Sequence, residues 1–200
     1  MGDIAKEASS YVAMRLARWQ NRKNEAATKG ELAQLRRGIG KKPGELPELW
    51  GLLFEDLPEN LMSKTAEASK IEWAVYITLS MYALHQQGSD IGSPNVQNDK
   101  TSLGKAIGKL VHNGDDKERV IRRFNIFATA ADIQECAHYL RGLVQLLRSE
   151  DIPLNYPSLV RDLYAYQFSD GQAKIRLRWG RDFYSVINGK NKEEDKNETK

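Results

Sequence analysis

The chain has 200 residues, of which 40% are hydrophobic and 28% charged, and it carries a net charge of +3. That length buries a core in one domain or two small lobes, and the mildly basic balance permits a polyanionic partner without requiring one. A lone cysteine, Cys136, excludes an internal disulfide and favours a reducing compartment; the first ten residues lack the apolar core of a signal peptide; and the longest apolar run, Ile71 to Leu84, is shorter than the ~20 residues a bilayer needs and holds Glu72.

These features point to a cytoplasmic protein without a membrane partner. The periodicity predicts an all-α fold, a helical bundle of two small lobes. The first helix is expected over Lys6–Lys23, with Val12, Leu16 and Trp19 on one side and Arg15, Arg18 and Arg22 on another. Thr28, with Glu31 three residues on, reads as the capping box of a second helix, and Gly38 ends it. A loop follows in which Arg36, Arg37, Lys41 and Lys42 bracket two glycines. Pro47 suits the first turn of a third helix, which stops before Pro58. The fourth, Thr65 to Gln87, is apolar almost all round and belongs at the centre of the bundle. Gly88 to Asp99 is rich in Gly, Ser, Asn and Asp and has no period, so it reads as a connection. The expected division is an N-terminal lobe over 1–90, a connection over 91–100, a C-terminal lobe over 101–187 and a charged, frayed tail over 188–200.

The C-terminal lobe opens with two helices that are greasy beneath and basic outside. Lys105 and Lys109 lie four apart, opposite Leu103, Ala106, Ile107, Leu110 and Val111. Arg119, Arg122 and Arg123 share a sector opposite Val120, Ile121, Phe124 and Phe127. From Lys100 to Asn125 seven basic residues stand against three acidic ones, so this segment is more positive than the whole chain. Thr129 reads as the cap of a helix running to Arg148, and another helix covers Asn155 to Phe168. The last element alternates like a strand at IRLRW, but the chain offers no second strand. As a helix it groups Lys174, Arg178 and Arg181 against Trp179, Phe183 and Val186, and helix is the reading adopted.

Reactive groups do not converge. His85, His112 and His138 fall on three helices, and Cys136 and His138 are two apart and face differently. GKAIGKL has three residues between its glycines and no Ser or Thr after the lysine, so it fails as a phosphate loop. No catalytic residue, metal site or cofactor is expected. The basic faces have two readings. Surface charge often serves solubility alone, and Glu118 before Arg122 and Asp115 before Arg119 offer local pairing. Otherwise they bind a polyanion by phosphate contact without base reading. The four tryptophans, Trp19, Trp50, Trp73 and Trp179, sit on apolar faces and read as core.

The segments SLGKAIGKL, ERVIRRF, the run from ADIQECAHYL to DLYAYQ, and RLRWGRDFY, with LRRG and ELPELWGLLF upstream, resemble the CasB family. These are small subunits of the type I-E CRISPR surveillance complex, Cascade. The resemblance covers roughly residues 10 to 187, and the chain departs from it at Tyr156, where the family often has tryptophan. It implies a non-catalytic, all-helical subunit of two lobes. Such a subunit joins the large and backbone subunits and a second copy of itself, and helps hold the opened DNA beside the guide RNA. Residues in matching motifs that would contact nucleic-acid backbone are Arg36, Arg37, Lys105, Arg119, Arg122, Arg123 and Arg141, with Arg178 and Arg181 able to pair within the lobe instead. Lys41, Lys42 and Lys109 complete the candidate set. The rival reading is a structural adaptor that binds acidic protein surfaces.

Overall fold

A single helix, Lys70–His85, sits at the centre of the computed structural model, and every residue of it from Ala74 onward is buried. The structure describes residues 2–89, 91 and 96–198, and for Asp115 and residues 191–198 the backbone alone. The helices are α1 (Gly2–Asn21), α2 (Glu25–Arg37), α3 (Trp50–Phe54), α4 (Lys70–His85), α5 (Leu103–Lys109), α6 (Gly114–Ala128), α7 (Ile133–Ser149), α8 (Tyr156–Tyr166) and α9 (Ser169–Glu198). Among the described residues the only β pairing is an isolated bridge between Gln97 and Leu154. The fold is all-α, and IRLRW lies within α9.

Several helix starts differ from the sequence reading, each for a local reason. Asn24, not Thr28, caps α2: its side chain accepts from the Ala27 N–H at 3.0 Å, which leaves Thr28 buried inside the helix. Glu31 instead accepts from Trp19 Nε1 at 2.8 Å and pairs with Arg22, tying α2 to α1. The capping box forms at α4, which starts later than Thr65. Ser69 Oγ accepts from the Glu72 N–H, and Glu72 accepts from the Ser69 N–H at 2.7 Å. Thr129 closes α6 rather than opening α7, because its hydroxyl donates to the Asn125 carbonyl at 2.8 Å; Asp132 caps α7. The third helix shrinks to a 3-10 turn, Pro47–Leu49, and α3. Beyond it Asp56 takes a φ of 61°, which no helix continues. Trp50 stands on the outer side of that short helix, 52% exposed, and is not core.

The two halves of the chain interlock. α4 packs against α1, α2, α7 and α8, and α8 lies on α1 as well as on α9. One cluster of buried side chains runs from Ala8 to Ile187. Packing therefore crosses the boundary expected over 91–100. Part of that stretch, Asp90 and residues 92–95, lies outside the described residues. Its C-terminal end is stitched down: the Leu154 N–H donates to the Val96 carbonyl at 2.9 Å and the Asn155 N–H to the Thr101 carbonyl at 2.8 Å. The helical backbone of α9 also passes the expected start of the tail, Asn188, and reaches Glu198; residues 199–200 lie outside the described residues.

α5 and α9 meet through glycine. A Cβ on Gly104 would press into the Trp179 carbonyl and approach Asp182 Cβ to 2.8 Å; on Gly108 it would come within 2.9 Å of the Phe183 carbonyl oxygen. The GKAIGK spacing is thus a helix-packing motif, and it turns Lys105 and Lys109 away from α9. Beside it, Phe124 and Phe127 of α6 meet Phe183 and Trp179 with ring centroids 5.4 and 4.9 Å apart. This aromatic cluster fixes α6 so that its arginines face outward. Among the described residues no helix is long and apolar enough to cross a membrane.

Candidate nucleic-acid interface

On α6, Arg122 and Arg123 are exposed and make no ion pair among the described residues, so the pairing expected between Glu118 and Arg122 does not form. Arg119 pairs with Asp116, three residues before it; the Asp115 side chain expected to serve lies outside the described residues. Arg119 and Arg123 line a shallow cleft with His112 and Glu150, bounded by the end of α5 and by α7. Lys105 is half-buried and Lys109 exposed on the neighbouring α5.

A second group gathers around α7. Arg141 lines a cleft together with Lys41, which pairs with Glu45 at 2.8 Å. Lys42 is exposed, and its N–H donates to Glu45 at 3.0 Å. Arg148, two helical turns beyond Arg141 on the same face, was not among the sequence candidates; the spacing of seven was the signal that pointed to it. It donates to Gln87 Oε1 at 2.9 Å. Its neighbour Arg36 donates to the Ala83 carbonyl at 3.1 Å, at the C-terminal end of α4. Burial, and then the charge of Arg148, hold the Arg36 guanidinium below its ordinary pKa. Neither guanidinium makes an ion pair among the described residues, and two like charges side by side favour an incoming anion. Arg37 next to them is exposed.

The α9 candidates divide. Arg181 is exposed, whereas Arg178 pairs with Asp162. Asp162 is buried and also accepts from Trp179 Nε1 at 2.7 Å. Burial pushes its carboxyl upward, against the pull of Arg178 and Trp179, so the guanidinium serves this internal acid. The α1 arginines are likewise engaged, Arg15 beneath the surface against Trp19 and Glu55, Arg18 with Asp56.

Among the described residues no cluster of three or more His, Cys, Asp or Glu is placed to hold a metal ion. Cys136 is buried, which pushes its thiol up to about 12. His85 is buried against the Tyr156 hydroxyl at 2.7 Å.

The described residues thus form an all-helical bundle with outward arginines on two faces. Its family follows from comparison. Residues 31–184 match the family model of the CRISPR-associated protein Cse2, and the chain belongs to that family. Its structure is similar to the crystal structure of CasB from Thermobifida fusca, with 29% identity and a TM-score of 0.74, covering 88% of this chain and 97% of that one. A Cse2-family protein from Thermus thermophilus shares the fold at 22% identity and a TM-score of 0.65, covering 88% and 97%. A chain of a CRISPR RNA-guided surveillance complex shares it at 16% identity and a TM-score of 0.71, covering 94% and 98%. No curated protein sequence matches the chain.

Proposed function

We propose that the chain is a non-catalytic small subunit of a type I-E CRISPR surveillance complex, and that its basic surface holds nucleic-acid backbone in the opened duplex. Family membership supports the assembly, and the fold shared with a chain of a CRISPR RNA-guided surveillance complex agrees with it. The observation that carries the nucleic-acid part is the pair Arg122 and Arg123, exposed and without an ion-pair partner among the described residues. Exchange of a DNA duplex for a guide–target hybrid is nearly balanced, so a few phosphate contacts decide whether it persists (an argument made for another RNA-guided effector and used by analogy). A surface serving any target must, over most of its extent, hold phosphates rather than read bases. The best-placed contacts are Arg37, Arg119, Arg122, Arg123, Arg141 and Arg181 with Lys42, Lys105 and Lys109; Arg36 and Lys41 act from partly engaged positions. The partners are the large and backbone subunits, the guide RNA, the target DNA and a second copy of this chain, in the cytoplasm.

Charge reversal of Arg122 and Arg123 to Glu tests this in the assembled complex. Both side chains point to solvent, so the fold and assembly should survive. Affinity for a matched target should fall more than tenfold at moderate salt, in line with the loss of two phosphate contacts. Unchanged target affinity in a fully assembled complex overturns the nucleic-acid role. Loss of assembly instead, with no salt-dependent DNA binding by the free protein, supports the adaptor reading.

A further inference from the structure

The cleft holding Lys41 and Arg141 has an interior that phosphate contact does not use. It encloses about 170 Å³ between α4, α7 and the turn at 38–41. Its walls include Trp73 and Tyr76, whose rings meet edge to face at 6.4 Å, and Ala137. Trp73 is only half-buried, although its position on α4 reads as core in the sequence. Ser80 also lines the cleft, and its Oγ is buried with no hydrogen-bond partner among the described residues. A buried hydroxyl without a partner is costly, and an acceptor brought into the cleft would relieve it.

We propose that this cleft takes one unstacked pyrimidine base of a single-stranded nucleic acid, with the adjoining phosphate held by Lys41 and Arg141. The inference rests on the nucleic-acid reading above and names what one part of that surface recognises. Size argues for a single ring: a cavity of about 150 Å³ accommodates benzene, whereas pockets for larger ligands run from about 300 Å³. Aromatic walls suit a flat ring of any sequence. A pyrimidine carbonyl oxygen accepts from the Ser80 hydroxyl, and Gln134 and His138 flank the cleft for the polar edge of the base. The cationic rim suits the phosphate. Lys41 is half-exposed in its pair with Glu45, so an incoming phosphate competes for it at the surface.

The test is fluorescence anisotropy of the full chain with labelled oligomers of equal length, carrying thymine, adenine or no base. Thymine oligomers should bind about tenfold more tightly than abasic ones, the effect of roughly one stacked base. Strand flexibility alone also favours pyrimidines, so the variants decide. Ala137→Phe fills the cleft and should abolish the preference for thymine while keeping abasic affinity. Ser80→Ala keeps the volume and should weaken the preference, which covers the case in which the larger side chain disturbs folding. Arg141→Gln should weaken all three oligomers. Equal binding of thymine and abasic oligomers overturns the base site and leaves the phosphate surface standing. Failure of every oligomer to bind overturns both. Thymidine monophosphate binding as tightly as the oligomer assigns the cleft to a free nucleotide and overturns the strand as its source.

Discussion

His85 is a buried group whose protonation the fold resists. Burial first, and the Arg148 charge second, push its imidazole down to about 4, while Tyr156 occupies Nδ1. An unfolded chain takes up that proton near 6.5, and the folded chain does so only near 4. The folded state therefore keeps the full contribution above pH 6.5 and loses it as pH falls towards 4, by about 3 kcal/mol. Urea denaturation at pH 7, 5.5 and 4.5 should show this loss, and His85→Gln should remove most of it relative to the parent. Parallel curves for the two proteins would overturn the assignment. The sequence marks Tyr156 as a departure from its family, but its bond to a histidine 71 residues away follows only from the packing of α8 on α4. Arg178 was ambiguous for a related reason: its partner, the buried Asp162, lies on a different helix.

At the scale of single helices, the glycines of α5 separate packing from propensity. Gly104→Ala forces its methyl into the backbone of α9, and Gly108→Ala does so less severely. Crowding of this kind costs about 1–3 kcal/mol, and the Gly104 variant should lie at the upper end. Gly142, in the middle of α7, has nothing within 4 Å of an added Cβ, so Gly142→Ala should stabilise by about 0.5–1 kcal/mol. Thermal melts of the three variants check the order; a stabilised Gly104→Ala would refute the close approach of the helices. The faces of α5, α6 and α7 were legible because apolar residues recur with the helical period. The starts of α2, α4 and α7 were not, since several short polar residues stand near each one. Thr129 shows how the choice is made: its hydroxyl finds the carbonyl behind it before the amide ahead.

For the molecule as a whole, the logarithm of the affinity for single-stranded DNA should fall linearly with the logarithm of salt concentration. Arg123→Gln should lower that slope by about one. An unchanged slope would remove Arg123 from the interface. The central place of α4 could be read from its all-round apolar character, and the outward arginines of α6 from their sector. The grouping of Lys41 with Arg141, and of Arg36 with Arg148, could not, because it depends on α7 lying across α4 beside the end of α2. The division at 91–100 likewise rested on local composition, while the packing partners of α8 are set by contacts far away in sequence. Separate fragments covering 1–90 and 101–200 should each lack a cooperative melt and regain one on mixing; two independent melts would instead establish the two-lobe division.

The position of α8 also bears on how the protein is made. Synthesis proceeds from the N-terminus, so α1 and α4 emerge before the helix that covers them both. At about 5–20 residues per second the ribosome needs several seconds to deliver Tyr156 after His85. Throughout that interval the most apolar helix of the nascent chain lacks its cover by α8, which sets the window in which its uncovered side is open to other apolar surfaces.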